Sequence, residues 1–115
     1  MEIYRGDTLK FDFTATLEGA VYQFKIGDLL KVGIKDRLSS SKYVLYKEIK
    51  ITEATETVPI IFSHEETKKC SLGEKILEVE LTDIEGTVTT LYQEKIKVIG
   101  DVINEWYTRE NKYDI

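Results

Sequence analysis

Apolar and polar residues alternate along most of this chain, which is the pattern of a β-strand with one face in a core and the other in water. In the clearest run, 9–17, every odd position is apolar and every even position is polar. Glu18-Gly19 follows as a turn signal, and 21–24 is apolar enough for a short return strand. The first quarter of the chain therefore predicts a β-hairpin.

Three further runs have the composition of strands. Residues 30–35 alternate, 44–51 place apolar residues on one face with Lys47 as the exception, and 58–62 are β-branched and apolar. Polar loops separate these runs. Pro59 lacks a backbone donor, so the last run is predicted to be an edge strand or to begin a strand.

One segment departs from the β pattern. Ser63 and Glu66 have the spacing of a capping box, in which each side chain satisfies the backbone N–H of the other residue. Gly73 then supplies a residue that ends helices in the left-handed conformation. The sequence predicts a short helix, or one to two helical turns, within 63–72.

A second hairpin follows the helix. Residues 77–82 alternate, Asp83-Ile84-Glu85-Gly86 is a turn sequence, and the return strand is predicted to run from 87 to about 99. The apolar positions of the return strand change parity between Leu91 and Ile96. This change predicts a β-bulge near Gln93–Glu94.

About seven short strands with one short helix and no parallel βαβ rhythm indicate an all-β protein. We expect an antiparallel two-sheet sandwich that is immunoglobulin-like, with a barrel as the alternative architecture. The predicted sandwich domain spans 1–103, and 104–115 form a C-terminal tail. The aromatic residues of this tail, Trp106, Tyr107 and Tyr113, are candidate partner contacts.

Composition narrows the possible functions. The chain has 115 residues, of which 42% are hydrophobic and 32% charged, which is typical of one globular domain. Its formal net charge of −5 argues against nucleic-acid binding, and its single Cys excludes an intrachain disulfide. No run is apolar enough for a signal core or a membrane-spanning helix. We therefore expect no nucleic-acid or membrane partner.

Residues with possible chemistry have simpler structural interpretations. Arg5-Gly6-Asp7 matches an adhesion tripeptide but precedes a strand as ordinary turn sequence. His64 begins the predicted helix without a second His in the chain, and Cys70 is expected to fill space beneath that helix. The acids within 78–85 are too sparse for a calcium loop. The sequence predicts no catalytic residue, no metal site and no cofactor, and we expect that the protein is not an enzyme.

Four tyrosines could lie on exposed strand faces: Tyr22, Tyr43, Tyr46 and Tyr92. Binding modules use such rings for sugars or protein partners, whereas structural tyrosines stack across strands. The structural interpretation is favoured. Tyr43 and Tyr46, which lie on or beside one strand, are nevertheless the candidate contacts within the predicted sandwich.

Several turn and strand motifs resemble one known family. They are Arg5-Gly6-Asp7-Thr8, Glu18-Gly19, Gly27-Asp28, the segment from Glu65 to Gly73, and the hairpin from Thr82 to Leu91. This arrangement, over about 3–103, resembles the N-terminal domains of phage baseplate upper proteins. The chain departs from that pattern at Lys75-Ile76 and at Gln93-Glu94. The resemblance implies a structural domain of prophage type and brings no catalytic residues with it.

Taken with the fold, the resemblance implies a structural or adaptor component of a phage or prophage tail or baseplate. The expected partners are other tail or baseplate proteins, or further copies of this chain. The expected location is the virion, after assembly in the cytoplasm of a bacterial host. The alternative is a carbohydrate-binding module that uses its surface tyrosines, with a glycan as the partner.

Overall fold

The computed structural model describes residues 1–100, which form mostly β-structure with one short helix. The elements are β1 (Glu2–Tyr4), β2 (Leu9–Phe13), β3 (Thr16–Leu17), β4 (Ala20–Val21), β5 (Leu29–Lys35), β6 (Leu45–Lys50), β7 (Val58–Phe62), α1 (His64–Thr67), β8 (Gly73–Thr82) and β9 (Val88–Ile99). The prediction of an all-β chain with one short helix is therefore confirmed. The predicted domain boundary at 103 and the tail 104–115 lie outside the described residues.

Five strands form one curled sheet in the order β1-β9-β8-β5-β6. Its pairs are antiparallel except that β1 runs parallel to β9, with Ile3 opposite Val98. The expectation of purely antiparallel sheets was wrong at this edge. Three residues are too few to show an alternating pattern, and a parallel partner distant in sequence has no hairpin signal to reveal it.

The remaining strands form two antiparallel pairs, β2 with β7 and β3 with β4. The alternating run 9–17 is divided into β2 and β3, because the chain leaves β7 after Phe13 and turns into a separate hairpin. Nine strands are thus present among residues 1–100 where about seven were expected. Pro59 lies on β7, which pairs with β2 alone among the described strands, so the prediction of an edge strand is confirmed there.

One hydrophobic core lies between the inward face of the five-stranded sheet and the β2–β7 pair. The central strands β5 and β8 contribute fully buried residues such as Val32 and Val79, and the pair contributes Ile60 and Phe62. Burying an aliphatic or aromatic side chain of this size contributes about 1.5–3 kcal/mol. The alternation read from the sequence therefore identifies the face of each strand that stabilises the fold.

Lys47 is the one charged residue on the apolar face of β6, and its contacts explain its position. Its Nζ donates to the carbonyl of Ile61 at 2.5 Å and to Glu66 Oε1 at 3.1 Å, and lies 5.2 Å from the centroid of the Phe62 ring. Lys47 therefore closes the side of the core between β6 and β7, with its charge balanced by Glu66.

The helix α1 has the capping box that the sequence predicted. The Ser63 side chain accepts from the Glu66 N–H at 3.2 Å, and Glu66 Oε1 accepts from the Ser63 N–H at 2.8 Å. That backbone hydrogen bond is the main reason that the pKa of Glu66 is lowered, with Lys47 contributing as well. The helix is shorter than 63–72, since the chain passes through turns before β8 begins at Gly73.

The predicted β-bulge is present, but at a different position. The β8–β9 register shifts between Val79, which pairs with Tyr92, and Glu80, which pairs with Thr90, so Leu91 is the extra residue. The prediction of Gln93–Glu94 was two to three residues too late. Leu91 is the bulged residue, yet its apolar side chain still packs against the core. In the sequence it therefore looks like a regular inward-facing residue, and the change of parity is read after it.

Candidate functional site

Tyr43 and Tyr46 meet on the outer face of the five-stranded sheet. Their ring centroids are 5.0 Å apart with an angle of 36° between the rings, and Tyr46 is 42% exposed. Lys35 and Glu78 lie beside them, and Gly33 lies beneath. We call these five residues the tyrosine cluster.

Gly33 makes the position of Tyr43 possible. A Cβ added to Gly33 would overlap the Tyr43 ring, which lies against the backbone of β5 at this point. Gly33 pairs with Tyr46 on one side and with Glu78 on the other. A glycine within a strand often marks such a close approach, and this is the signal that would have pointed to the site in the sequence.

Glu78 connects the cluster and is almost completely buried. Its carboxylate accepts from the Tyr43 hydroxyl at 3.3 Å and from Gln93 Nε2 at 2.7 Å, and Lys35 Nζ lies 3.6 Å away. The same Lys35 Nζ lies 4.9 Å from the centroid of the Tyr43 ring. A buried charge with these partners is satisfied in place, so the cluster is rigid. Sequence reasoning missed the role of Glu78 because its partners lie on three other segments.

Both tyrosine hydroxyls act as donors to carboxylates. Tyr43 donates to Glu78, and Tyr46 donates to Glu48 at 2.6 Å. The pKa of each phenol is raised, first by burial and then by the neighbouring glutamates. Both phenols are therefore neutral at physiological pH, and the cluster presents ring surface and hydrogen-bonding groups rather than a phenolate base.

Tyr22 belongs to a separate structural motif. Its hydroxyl donates to Asp28 Oδ2 at 2.8 Å, the same atom accepts from the Lys25 N–H at 2.9 Å, and its ring packs edge-on against Phe24 at 5.0 Å. Asp28 is almost completely buried and holds the turn before β5. An open groove of about 560 Å³ runs along the β3–β4 hairpin past Tyr22. Tyr22 is half-buried and held in place, so the favoured structural interpretation is confirmed for this tyrosine.

Ionisation of Tyr22 should be delayed to strongly alkaline pH. Burial, followed by the hydrogen bond to Asp28, raises its pKa from 10.0 to about 12. Because the folded protein holds this proton more tightly than the unfolded chain, the stabilisation is complete below about pH 10 and is lost as the pH rises through about 12. A tyrosinate absorbance titration of the wild type minus Tyr22→Phe should show this step. A step near the ordinary value of 10.0 would contradict the assignment.

Tyr92 does not join the tyrosine cluster. It pairs with Val79 on the inward side of β9, packs edge-on against Phe13 at 6.0 Å and donates a short hydrogen bond to Glu94. That hydrogen bond is the main reason that its pKa is raised. Of the four tyrosines considered, the structure therefore brings together Tyr43 and Tyr46 alone.

The Arg5-Gly6-Asp7 segment forms the expected turn. The Asp7 N–H donates to the Tyr4 carbonyl at 3.0 Å, and Gly6 has a φ of 93°. Thr67 of α1 secures it, since its hydroxyl accepts from the Gly6 N–H at 3.0 Å and donates to the Asp7 carbonyl at 2.7 Å. The tripeptide is therefore a hydrogen-bonded structural turn that connects β1 to β2.

The other candidates for chemistry occupy structural positions. His64 is the first residue of α1, and Cys70 is 1% exposed with its pKa raised mainly by burial, which keeps it a thiol. Asp83 Oδ1 accepts from the N–H groups of Glu85 and Thr87 and so closes the β8–β9 turn. Across residues 1–100, no three metal-type side chains come together. Trp106, Tyr107 and Tyr113 lie outside the described residues.

The comparisons with known proteins leave the family open. No protein-family model matches the sequence, and no curated protein matches it. Within the described part of the chain, no helix is both long enough and apolar enough to cross a membrane.

Proposed function

We propose that this chain is a structural or adaptor domain of a phage or prophage tail or baseplate that acts through protein–protein contacts. The observation that carries the proposal is the tyrosine cluster, a rigid and partly exposed aromatic surface on an open sheet face. Tyrosines contribute large contact areas to protein interfaces at little cost in side-chain entropy, because they have few rotatable bonds. The hydrogen bond to the buried Glu78 orients the Tyr43 ring, and the hydrogen bond to Glu48 orients the Tyr46 ring.

We also infer an immunoglobulin-like sandwich as the finer fold. The sheet order β1-β9-β8-β5-β6 opposite the β2–β7 pair supports this inference, because both layers contribute to one core cluster. The short helix between β7 and β8 and the parallel first strand fit the same arrangement. Sandwiches of this kind serve many unrelated functions, so the fold alone supports no activity.

The viral part of the proposal depends on the family resemblance. The motifs that carry it lie mainly at connections: the 5–8 turn, the Glu18-Gly19 turn, the Gly27-Asp28 turn, α1, and the Asp83–Gly86 turn. Motifs at these places reflect how strands are joined, which is what a structural domain would share with its relatives.

Mass spectrometry of phage-like particles, purified after induction of the source strain, tests this proposal. We expect the chain at a fixed ratio to tail proteins in intact particles. Tail-less particles from the same preparation are the matched control and should lack it. A chain that is expressed but is absent from particles would contradict the assignment to a tail or baseplate.

Carbohydrate binding is a second candidate function, favoured by the exposure of Tyr46 beside charged hydrogen-bonding groups. The exposed Tyr46 ring with Glu48 at its hydroxyl, and Lys35 at the adjoining Tyr43 ring, resemble the stacking surface and polar rim of a sugar site. Titration with bacterial cell-wall polysaccharide should then show binding that Tyr46→Ala abolishes. Tyr4→Ala, at a similarly exposed tyrosine outside the cluster, is the control and should bind normally.

A further inference from the structure

One edge of the strand β2 has no partner among residues 1–100. It pairs with β7 alone, in a register that places Phe11 opposite Ile60 and Asp12 opposite Pro59. No described strand lies on its other side. An unpaired edge presents a row of backbone N–H and C=O groups that can pair with another strand.

The register identifies which backbone groups face that edge. Pro59 has no N–H, so Asp12 and Pro59 form a non-hydrogen-bonded pair. Because hydrogen-bonded and non-hydrogen-bonded pairs alternate in an antiparallel ladder, the hydrogen-bonded pairs are those of Leu9, Phe11 and Phe13. The backbone groups of Lys10 and Asp12 consequently point away from β7. The hydrogen bonds of Ile61, which lies opposite Lys10, fit this alternation. Its carbonyl points away from β2 and accepts from Lys47.

The side chains beside this edge are incompletely covered. Leu9 and Phe11 face the core but are only partly buried, although their partners Phe62 and Ile60 on β7 are fully buried. Tyr92, on the inward side of β9, is 41% exposed. The edge therefore has the apolar surface that one more strand would cover.

Within residues 1–100, neither layer has a further strand paired beyond this edge. The five-stranded sheet ends at β9 near Tyr92, since β1 pairs only with Lys97–Ile99. The contact of Phe13 with Tyr92 places this part of β9 beneath β2. Among the described residues, no strand pairs with β2 or with this part of β9 on the side of Phe11.

On the opposite side of the fold, the edges of β7 and β6 carry features that oppose pairing with another strand. On β7, Pro59 has no backbone N–H to donate, and the carbonyl of Ile61 already accepts a hydrogen bond from Lys47. On β6, Lys47 itself is an inward-pointing charge, a feature that opposes edge-to-edge pairing. β2 carries Lys10 and Asp12, neither of which forms an ion pair within residues 1–100.

We propose that β2 is a self-association edge that pairs antiparallel with β2 of a second copy of this chain, centred on Phe11. In this register Lys10 lies opposite Asp12 of the second copy, and the twofold axis repeats that pair. Phe11 faces its counterpart on the apolar side, and the outward backbone groups of Lys10 and Asp12 form the new ladder. The inference rests on the proposed role in protein–protein contact and names one partner for it.

Charge selects this register over its neighbours. Moving the second strand by two residues in one direction places Lys10 opposite Lys10 of the second copy, and moving it in the other direction places Asp12 opposite Asp12. Like charges directly opposite each other destabilise a strand pair. A shift by one residue would turn the apolar side of the second strand to solvent.

Charge reversal provides the test. Sedimentation equilibrium of the full chain should show a dimer, and Lys10→Asp or Asp12→Lys should each weaken it by about tenfold or more, because two attractive pairs become two repulsive ones. An equimolar mixture of the two variants should restore association as a heterodimer, since the two acidic side chains of one variant then face the two basic side chains of the other. Lys50→Glu, on the edge strand β6, is the matched control and should leave the dimer unchanged.

Amide hydrogen exchange gives a second, local measurement. The N–H groups of Lys10 and Asp12 should gain protection as the protein concentration rises, whereas the N–H of Phe11 is already bonded to β7 and should change little. Circular dichroism of each variant establishes that it is folded. Both charged side chains are exposed, so the substitutions should leave the fold intact.

Three results would overturn the proposal: a wild-type monomer at roughly 1 mM, a dimer insensitive to both reversals, or a mixture of variants that fails to associate. None of these would affect the particle experiment, since a monomeric chain could still be present in tails. Conversely, a β2 dimer missing from particles would contradict the tail assignment while leaving this interface in place.

Discussion

Replacing Thr67 with valine is expected to lower the free energy of unfolding by about 2–3 kcal/mol, because it leaves two backbone groups without a partner. The Thr67 side chain is fully buried, and its hydroxyl bridges the Gly6 N–H and the Asp7 carbonyl. Valine keeps the shape but removes both hydrogen bonds. Chemical denaturation of the variant, with the midpoint and slope fitted together, measures the loss.

Thr67→Ser is the control, since it keeps the hydroxyl and loses one methyl group. Its cost should be clearly smaller than that of Thr67→Val, at about 1 kcal/mol. If serine destabilised the protein as much as valine, packing of the methyl group rather than the bridge to the Arg5-Gly6-Asp7 turn would explain the position. The comparison therefore isolates the contribution of α1 to the junction between β1 and β2.

Gly33→Ala should destabilise the protein by about 1–3 kcal/mol, the usual cost of forcing an extra methyl group into a filled site. The added Cβ overlaps the Tyr43 ring, so the ring must leave the backbone of β5 and its hydrogen bond to Glu78. The same denaturation measurement reports the change. Near-ultraviolet circular dichroism should show that the environment of the tyrosines has altered.

A second substitution reverses the sign of this effect. In a Tyr43→Ala background the space above Gly33 is empty, and alanine is favoured over glycine within a strand by about 0.5–1 kcal/mol. Gly33→Ala should then be neutral or stabilising. A cost that persisted in this background would mean that Gly33 is required for a reason other than the Tyr43 ring.

The sequence predicted the elements whose signals are local. Alternation identified β2, β5 and β8 and their buried faces, because the pleat repeats every two residues. The Ser63–Glu66 spacing identified the helix start, because a capping box joins residues only three positions apart. The β-bulge was also recognisable, although not its position. Tyr43 and Tyr46 were recognised as lying on or beside one strand, but their contact was not predictable, because residues three apart within a strand point to opposite faces. Tyr43 precedes β6, and its ring lies over Gly33 on the face that carries Tyr46.

What the sequence could not show depends on residues far apart in the chain. Glu78 is joined to Tyr43 and Gln93 across separate strands, so no spacing rule relates them. The hydrogen bond from Tyr22 to Asp28 was also not predictable, because strand parity does not describe contacts between a strand end and a turn. The sequence thus named the two rings as candidate contacts, but it showed neither that they meet nor which groups hold them.

By itself, the sequence determined that this protein is mostly β-structure, which faces of β2, β5 and β8 are apolar, where the capped helix begins, and which residues form the turn of the second hairpin. Those properties follow from the two-residue period of the strand and from side chains that satisfy nearby backbone groups. Only the tertiary structure decided that β1 joins β9 in parallel, that Lys47 closes one side of the core, and that one edge of β2 has no partner strand among residues 1–100. These depend on which strands meet, and that is set by packing the whole core at once rather than by any local pattern.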